Sequence, residues 1–151
     1  MANTALSHVS PDGKINLSGA DESYIPALGD GTAKPGDFVG KVGATGKVVQ
    51  ADAGASELFI GILAANRSDS VTVDTAIANG TPCHIVVPRS GRIYACHIED
   101  PAGTEYAGQP YALSDTAGTF EAAATFSTAG VKAVLAKDVA NADVYGVIRW
   151  L

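Results

Sequence analysis

Glycine and proline interrupt this sequence at short intervals from Lys34 to its C-terminus. Turn signals such as Pro35-Gly36, Asn79-Gly80 and Ala117-Gly118 recur about every eight to twelve residues, with short runs of β-branched and aromatic residues between them. Glycine and proline destabilise a helix interior by about 1 and 3 kcal/mol relative to alanine, so long helices are disfavoured. A chain of 151 residues with this pattern is predicted to form one mainly β domain, a sandwich or a compact barrel.

Ten segments are predicted as strands because they combine β-forming residues with flanking turn signals. These segments are Phe38–Val42, Lys47–Ala51, Leu58–Ala64, Val71–Val73, Cys83–Val87, Arg92–Ile98, Pro110–Ser114, Thr119–Ala123, Val131–Ala136 and Val144–Trp150. Helical structure is restricted to about one turn each at 74–79 and 138–142.

A weak internal repeat relates two parts of the chain at an offset of 72 residues. Identical residues at this offset are Gly36, Gly46, Ala51, Leu63 and Ala64, which match Gly108, Gly118, Ala123, Leu135 and Ala136. Apolar character is also kept where Val39 matches Tyr111 and Val48 matches Phe120. The repeat predicts one pattern of turns and strands, built once in each half and closed into a compact barrel.

Residues 1–33 differ from the rest, because isolated apolar residues alternate with Asn, Ser, Asp, Gly and Pro without a sustained period. We interpret them as an extended N-terminal arm, with at most a short edge strand, that precedes a β domain at 34–151. The arm residues expected to contact another protein or subunit are Leu6, Val9, Ile15, Leu17, Tyr24 and Ile25. A disordered terminus is the alternative, although spaced large apolar residues are unusual in a solvated tail.

The charge and hydropathy of the chain exclude several classes of partner. Sixteen acidic and ten basic residues give a net charge of −6, which opposes binding to nucleic acid or to an anionic membrane surface. The longest apolar run, 58–65, is far shorter than the roughly 20 residues of a membrane-spanning helix. The N-terminus lacks the basic and apolar regions of a secretory signal, so synthesis in a cytoplasm is expected.

The two cysteines are predicted to face each other across a hairpin. If Pro88–Gly91 is a tight turn, Cys83 lies opposite Cys96 in a non-hydrogen-bonded pair, where side chains come closest. Two reduced, apolar thiols packed side by side are one interpretation. A disulfide formed later, outside the cell, is the other.

Motifs for catalysis or metal binding are weak. Cys83-His84 and Cys96-His97 contain zinc-ligand types, but neighbouring residues on a strand point to opposite faces, so each histidine is expected on a solvent or interface face. Adjacent carboxylates at Glu99-Asp100 lie in a loop rather than converging on a cleft, and 40–47 departs from the phosphate-binding loop motif. We therefore predict no catalytic residue, no metal site and no cofactor.

Several short motifs resemble those of the tailed-bacteriophage capsid decoration proteins, also called cement or head-stabilising proteins. The first motifs are Lys34-Pro35-Gly36-Asp37-Phe38-Val39, Gly46-Lys47-Val48 and Phe59-Ile60-Gly61-Ile62-Leu63. The second half has a similar series in Ala107-Gly108-Gln109-Pro110-Tyr111, Gly118-Thr119-Phe120 and Val134-Leu135. The resemblance covers roughly residues 34–151.

This resemblance implies a small β-tulip or barrel-like domain that binds the outer surface of an expanded icosahedral shell. The implied partners are the major capsid protein and other copies of the chain, in a homotrimer that bridges capsomers of the virion. The N-terminal arm would reach onto the capsid and add a strand there. An acidic, non-enzymatic protein is compatible with an outer capsid face.

A second class of function is also compatible with the sequence. A small-ligand or carbohydrate-binding β domain of a phage tail or receptor-recognition module would need an exposed aromatic platform. Trp150 is the only tryptophan, and it lies in the last apolar strand, where packing in a core or against a subunit is expected. An enzyme would need a co-ligand or a site shared between subunits.

Overall fold

Ten strands form two antiparallel five-stranded sheets in the computed structural model, which describes residues 23–54, 59–65 and 74–151. The strands are β1 (Ser23–Leu28), β2 (Phe38–Lys41), β3 (Val48–Gln50), β4 (Gly61–Ala65), β5 (Pro82–Val87), β6 (Ile93–His97), β7 (Pro110–Leu113), β8 (Phe120–Ala122), β9 (Val131–Leu135) and β10 (Tyr145–Trp150). The mainly β class predicted from turn spacing is therefore confirmed.

Each half of the chain builds one sheet, and the two sheets have the same topology. The first half, residues 23–87, has the strand order β1-β5-β4-β2-β3, and the second half, residues 93–150, has the order β6-β10-β9-β7-β8. Counted from the start of its own half, each sheet therefore runs first, fifth, fourth, second, third. The structure is a duplicated five-stranded unit.

Strand registers confirm the repeat at an offset of 72 residues. Phe38 pairs with Ile62 as Pro110 pairs with Val134, and Val39 pairs with Gln50 as Tyr111 pairs with Ala122. The turns before β2 and β7 are also alike, since Gly36 and Gly108 have φ values of 96° and 97°, which glycine adopts without strain. Their amides donate equivalent bonds to the carbonyls of Leu63 and Leu135.

Nine of the ten predicted strands are present, with ends shifted by at most three residues. The tenth, Val71–Val73, lies outside the described residues. The predicted helical turns at 74–79 and 138–142 are wrong, because the described residues contain no α-helix. The Ile77 amide donates to the Ala33 carbonyl and the Val139 amide to the Glu105 carbonyl, so both segments pair with distant chain instead of coiling.

Side chains of the first sheet alternate between two apolar clusters. Val39, Leu63 and Ile85 pack inside the first half, whereas Phe38 and Ile62 belong to a larger cluster shared with the second half. This alternation follows from the two-residue period of a strand. The predicted closed barrel is not formed by a continuous ladder, because the edges of each sheet meet only at single parallel bridges, Leu28 with Lys47 and Ile98 with Phe120.

The predicted arm, residues 1–33, is expected to contain at most a short edge strand, and its described part contains one at the edge of the first sheet. Residues 23–28 form β1, which pairs with β5 along its whole length, and Ala33 is fully buried in the core of the first half. The bounds of this strand could not be predicted, because Pro26 and the lack of a regular apolar period hide them in the sequence. No described helix is long and apolar enough to cross a membrane.

Candidate functional site

The structure places the predicted arm residues in two groups. Leu6, Val9, Ile15 and Leu17 lie outside the described residues. Tyr24 and Ile25 lie on β1, where Ile25 pairs with Ile85 and packs against the inner cluster of the first half. Tyr24 points to the other face, is 61% exposed, and contacts the ring of His84 with 5.2 Å between centroids. Tyr24 is therefore the described arm residue that is available for a contact.

The outer edge of β1 is largely closed. The bond from the Gly29 amide to the Thr81 carbonyl continues the β1–β5 ladder, so the backbone groups of Tyr24, Pro26 and Leu28 point away from β5. Proline has no amide hydrogen, and the Pro26 carbonyl accepts a 2.7 Å bond from Lys41 Nζ. The Leu28 amide donates to the Gly46 carbonyl. Such features protect a sheet edge from pairing with another strand.

The hairpin predicted to join Cys83 and Cys96 does not form. β5 pairs with β1 and β4, whereas β6 pairs with β10, so the two cysteines belong to different sheets. After Pro88 the chain turns onto β10, where the Gly91 amide donates to the Trp150 carbonyl. Both sulfurs are buried, neither forms a disulfide, and burial raises the pKa of the Cys96 thiol.

The two halves meet at a contact that the sequence did not predict, and this contact contains a buried histidine beside a buried aspartate, His97 and Asp37. The Gly118 peptide lies between β2 and the residue after β3: its amide donates to the Ala51 carbonyl, and its carbonyl accepts from the Phe38 amide. Beside it, the rings of Phe38 and Phe120 stack. We call this contact the joint. Its six residues are Asp37, Phe38, Ala51, His97, Gly118 and Phe120.

His97 enters the joint from the second half. Its amide donates to the Gly36 carbonyl, its Nε2 lies 3.1 Å from the Pro35 carbonyl oxygen, and its Nδ1 lies 3.7 Å from Asp37 Oδ1. The ring of Tyr145 meets the imidazole edge-on at 4.7 Å. The prediction that His97 lies on a solvent or interface face is therefore wrong, because its side chain is buried between the two halves of the chain.

Asp37 is 3% exposed and is held by several donors. Its Oδ2 accepts 2.8 Å bonds from the Lys34 amide and from Gln50 Nε2. Burial raises the pKa of Asp37, while His97, these hydrogen bonds and the Lys34 charge act in the opposite direction. The carboxylate thus organises the turn before β2, Lys34-Pro35-Gly36-Asp37, a role that the sequence of this turn does not reveal.

A group of carboxylates lies around β8, at one end of the second sheet. Glu99 accepts a hydrogen bond from the Ser114 hydroxyl, and Glu105 accepts one from the Tyr111 hydroxyl. Burial and the neighbouring charges of Glu99, Asp115 and Glu105 raise the pKa of Glu121. No three His, Cys, Asp or Glu side chains within the described ranges are arranged to hold a metal ion.

Open depressions are present on the described surface. One of about 340 Å³ is lined by Phe59, Leu113 and Lys132 among others, and one of about 450 Å³ is lined by Lys34, His97 and Tyr145 among others. Trp150 is packed against Phe59 and Phe120, with centroid distances of 5.8 and 6.0 Å. It therefore forms part of an aromatic stack at the contact between the halves, rather than an isolated platform.

Comparison with protein-family models and with curated proteins finds no match to this chain.

Proposed function

We propose that this chain is a capsid decoration protein, which binds the outer surface of an icosahedral phage head and stabilises the expanded shell by bridging capsomers. The anchoring of β1 is the observation that supports the proposal most. β1 pairs with β5 over six residue pairs, so Ser23 holds a fixed position at the edge of the β domain.

The 22 residues before Ser23 carry the apolar positions Leu6, Val9, Ile15 and Leu17. An extended segment of this length spans at most about 75 Å, enough to reach beyond the body to a neighbouring protein. Because β1 closes most of its own outer edge, the first sheet offers little backbone for an added strand, which favours another protein as the binding partner of these residues. The major capsid protein is the proposed recipient.

The charge and size of the chain are consistent with this role. A net charge of −6 suits a face turned away from packaged DNA. In a homotrimer, three arms act together, so that individually weak contacts add up to firm attachment through avidity. Chemistry is not required of such a protein, and the joint, with its buried Asp37, serves packing between the halves.

Deletion of residues 2–22 tests the proposal, because it leaves β1 and both sheets intact. The full chain is expected to co-sediment with expanded heads of the phage that encodes it, and the shortened chain to stay in solution with an unchanged circular dichroism spectrum. A variant of full length with Leu6, Val9, Ile15 and Leu17 changed to Ser is the matched control for arm length. It is expected to behave like the deletion.

Unexpanded heads provide the second comparison. Binding is expected to be selective for expanded heads and to raise the temperature at which they release DNA. Undiminished binding by the shortened chain overturns the role of the arm. A full-length monomer that binds neither head overturns the proposed function and favours ligand recognition.

A further inference from the structure

Four basic residues lie together at one end of strands β6, β10 and β9, and we call them the basic group. They are Arg89, Arg92, Lys132 and Arg149. Backbone bonds join this end of the sheet, because the Arg92 carbonyl accepts from the Trp150 amide and the Lys132 carbonyl from the Leu151 amide, both at 2.9 Å. The Arg149 guanidinium donates a 3.1 Å bond to the Gly91 carbonyl, next to Arg92.

The basic group has no acidic partner in the described part of the chain. None of its four side chains forms an ion pair with a described carboxylate, and all except Arg92 are exposed. The acidic residues of the same three strands lie at the opposite ends, because Glu99 follows β6, Asp138 follows β9 and Asp143 precedes β10. Like charges held together without a counter-charge repel one another, so this end of the sheet favours an acidic partner.

The first described residue, Ser23, lies beside the basic group. Arg89 reaches back to it, and Arg89 Nη2 donates a hydrogen bond to the Ser23 hydroxyl oxygen. The two residues before Ser23 are Asp21 and Glu22. Their Cα atoms lie within about 8 Å of the Ser23 Cα, because consecutive Cα atoms are 3.8 Å apart. The covalent chain thus brings two carboxylates within reach of the basic group.

We propose that Asp21 and Glu22 bind the basic group of their own chain, so that the arm leaves the β domain across this end of the second sheet. Continued by two residues, the β1–β5 register places Asp21 opposite Arg89, and opposite charges that face each other across strands attract. The Arg89 amide already donates a 2.8 Å bond to the Tyr94 hydroxyl, so side chains rather than a longer ladder make this contact.

The contact determines how the rest of the arm is presented. With Asp21 and Glu22 held, the apolar positions from Leu17 back to Leu6 extend from the second half of the chain, although the strand that carries the arm, β1, belongs to the first sheet. Exposed ion pairs are individually weak, so several act together and salt loosens them. This inference concerns the attachment of the arm to its own chain and does not depend on binding to a capsid.

The test measures the NMR order parameters of the amides of residues 21 and 22 at low salt. In the wild type both are expected to be near the value of rigid backbone, about 0.85. Arg92→Gln with Arg149→Gln removes two charges of the basic group, and is expected to lower both order parameters below about 0.6, the range of flexible chain. Lys47→Gln with Lys137→Gln removes the same charge elsewhere, and is expected to leave both unchanged.

An exchange of charges separates direct pairing from a general loss of order. Asp21→Arg with Glu22→Arg is expected to release the segment, and adding Arg89→Glu with Arg92→Glu to restore its order. Residues 21 and 22 that are flexible in the wild type, or equally ordered in both glutamine double variants, overturn the proposal. So does order that persists in about 0.5 M salt, where exposed charges are screened. Order that falls on dilution also overturns it, because a contact within one chain is independent of concentration.

Discussion

The rings of Phe38 and Phe120 stack face to face across the two halves, with 3.7 Å between their centroids and 8° between their planes. Both are fully buried, and Trp150 and Phe59 extend the stack. Phe120→Ala is therefore expected to lower the free energy of unfolding by about 3–5 kcal/mol in guanidinium titrations. Phe126→Ala, at a ring that is 60% exposed, is the matched control and is expected to change it by about 0.5 kcal/mol or less. Similar losses in both variants would contradict a core role for this stack.

Gly118 and Gly130 separate the effect of close packing from that of backbone conformation. Both have a φ of 83°, but a Cβ on Gly118 would lie 3.0 Å from Asp37 Cγ and 3.1 Å from Gln50 Nε2, whereas nothing lies within 4 Å at Gly130. Gly130→Ala is expected to cost about 1–2 kcal/mol from left-handed strain alone. Gly118→Ala is expected to cost more, and to increase hydrogen exchange at the Phe38 amide. Equal costs would mean that the joint accommodates the methyl group without loss.

The raised pKa of Glu121 predicts that the protein becomes more stable when the charge of this side chain is removed. Because burial, Glu99 and Asp115 raise the pKa of Glu121, the folded chain holds this proton more tightly than the unfolded chain. That stabilisation is present below the ordinary glutamate pKa of about 4.3 and is lost as the pH rises through the folded value. Glu121→Gln is therefore expected to raise the thermal midpoint at pH 7 and not at pH 3. Asp100→Asn, at an exposed acid, controls for net charge; an equal gain there would assign the effect to net charge alone.

The lowered pKa of His84 predicts that the stability of the protein changes with pH in the opposite direction. Burial lowers the pKa of His84, so the unfolded chain binds this proton more tightly, and stability is lost as the pH falls through the ordinary histidine value of about 6.5. His84→Gln is expected to reduce the loss of unfolding free energy between about pH 7 and pH 5. An NMR titration of the imidazole should place its midpoint below that of a histidine peptide. Parallel stability curves for the two proteins would exclude this contribution.

Local signals in the sequence were sufficient for the positions of β2 to β10 and for the internal repeat, but not for β1. Alternating apolar residues and turn glycines mark strands such as β2 and β7, and glycines at matching places preserve the turns of both halves. The same signals could not identify the partners of each strand. The segment after Val87 has the local pattern of a tight hairpin. The strand that follows it, β6, instead pairs with β10, which is more than fifty residues away from Val87. Pairing with a distant strand leaves no local mark.

The joint could not be predicted for a related reason. Asp37 and His97 are sixty residues apart in sequence, and each alone reads as an ordinary turn or strand residue. What the repeat did contain was the contrast between Asp37-Phe38 and Gln109-Pro110 at the same offset. The joint therefore combines positions that the repeat keeps, Ala51 and Gly118, with positions that differ between the halves, Asp37 and Phe38.

Two identical subunits could not have acquired the arrangement seen at Phe38 and Pro110. In a dimer of one five-stranded unit, a proline at this place would remove the amide that Phe38 donates at the joint from both copies, since a single gene would specify both. When the two units are joined in one chain, the equivalent positions of the two sheets are encoded separately and can carry different residues. The two halves of one chain can therefore differ at this place, so that Phe38 donates its amide at the joint while Pro110 has no amide hydrogen.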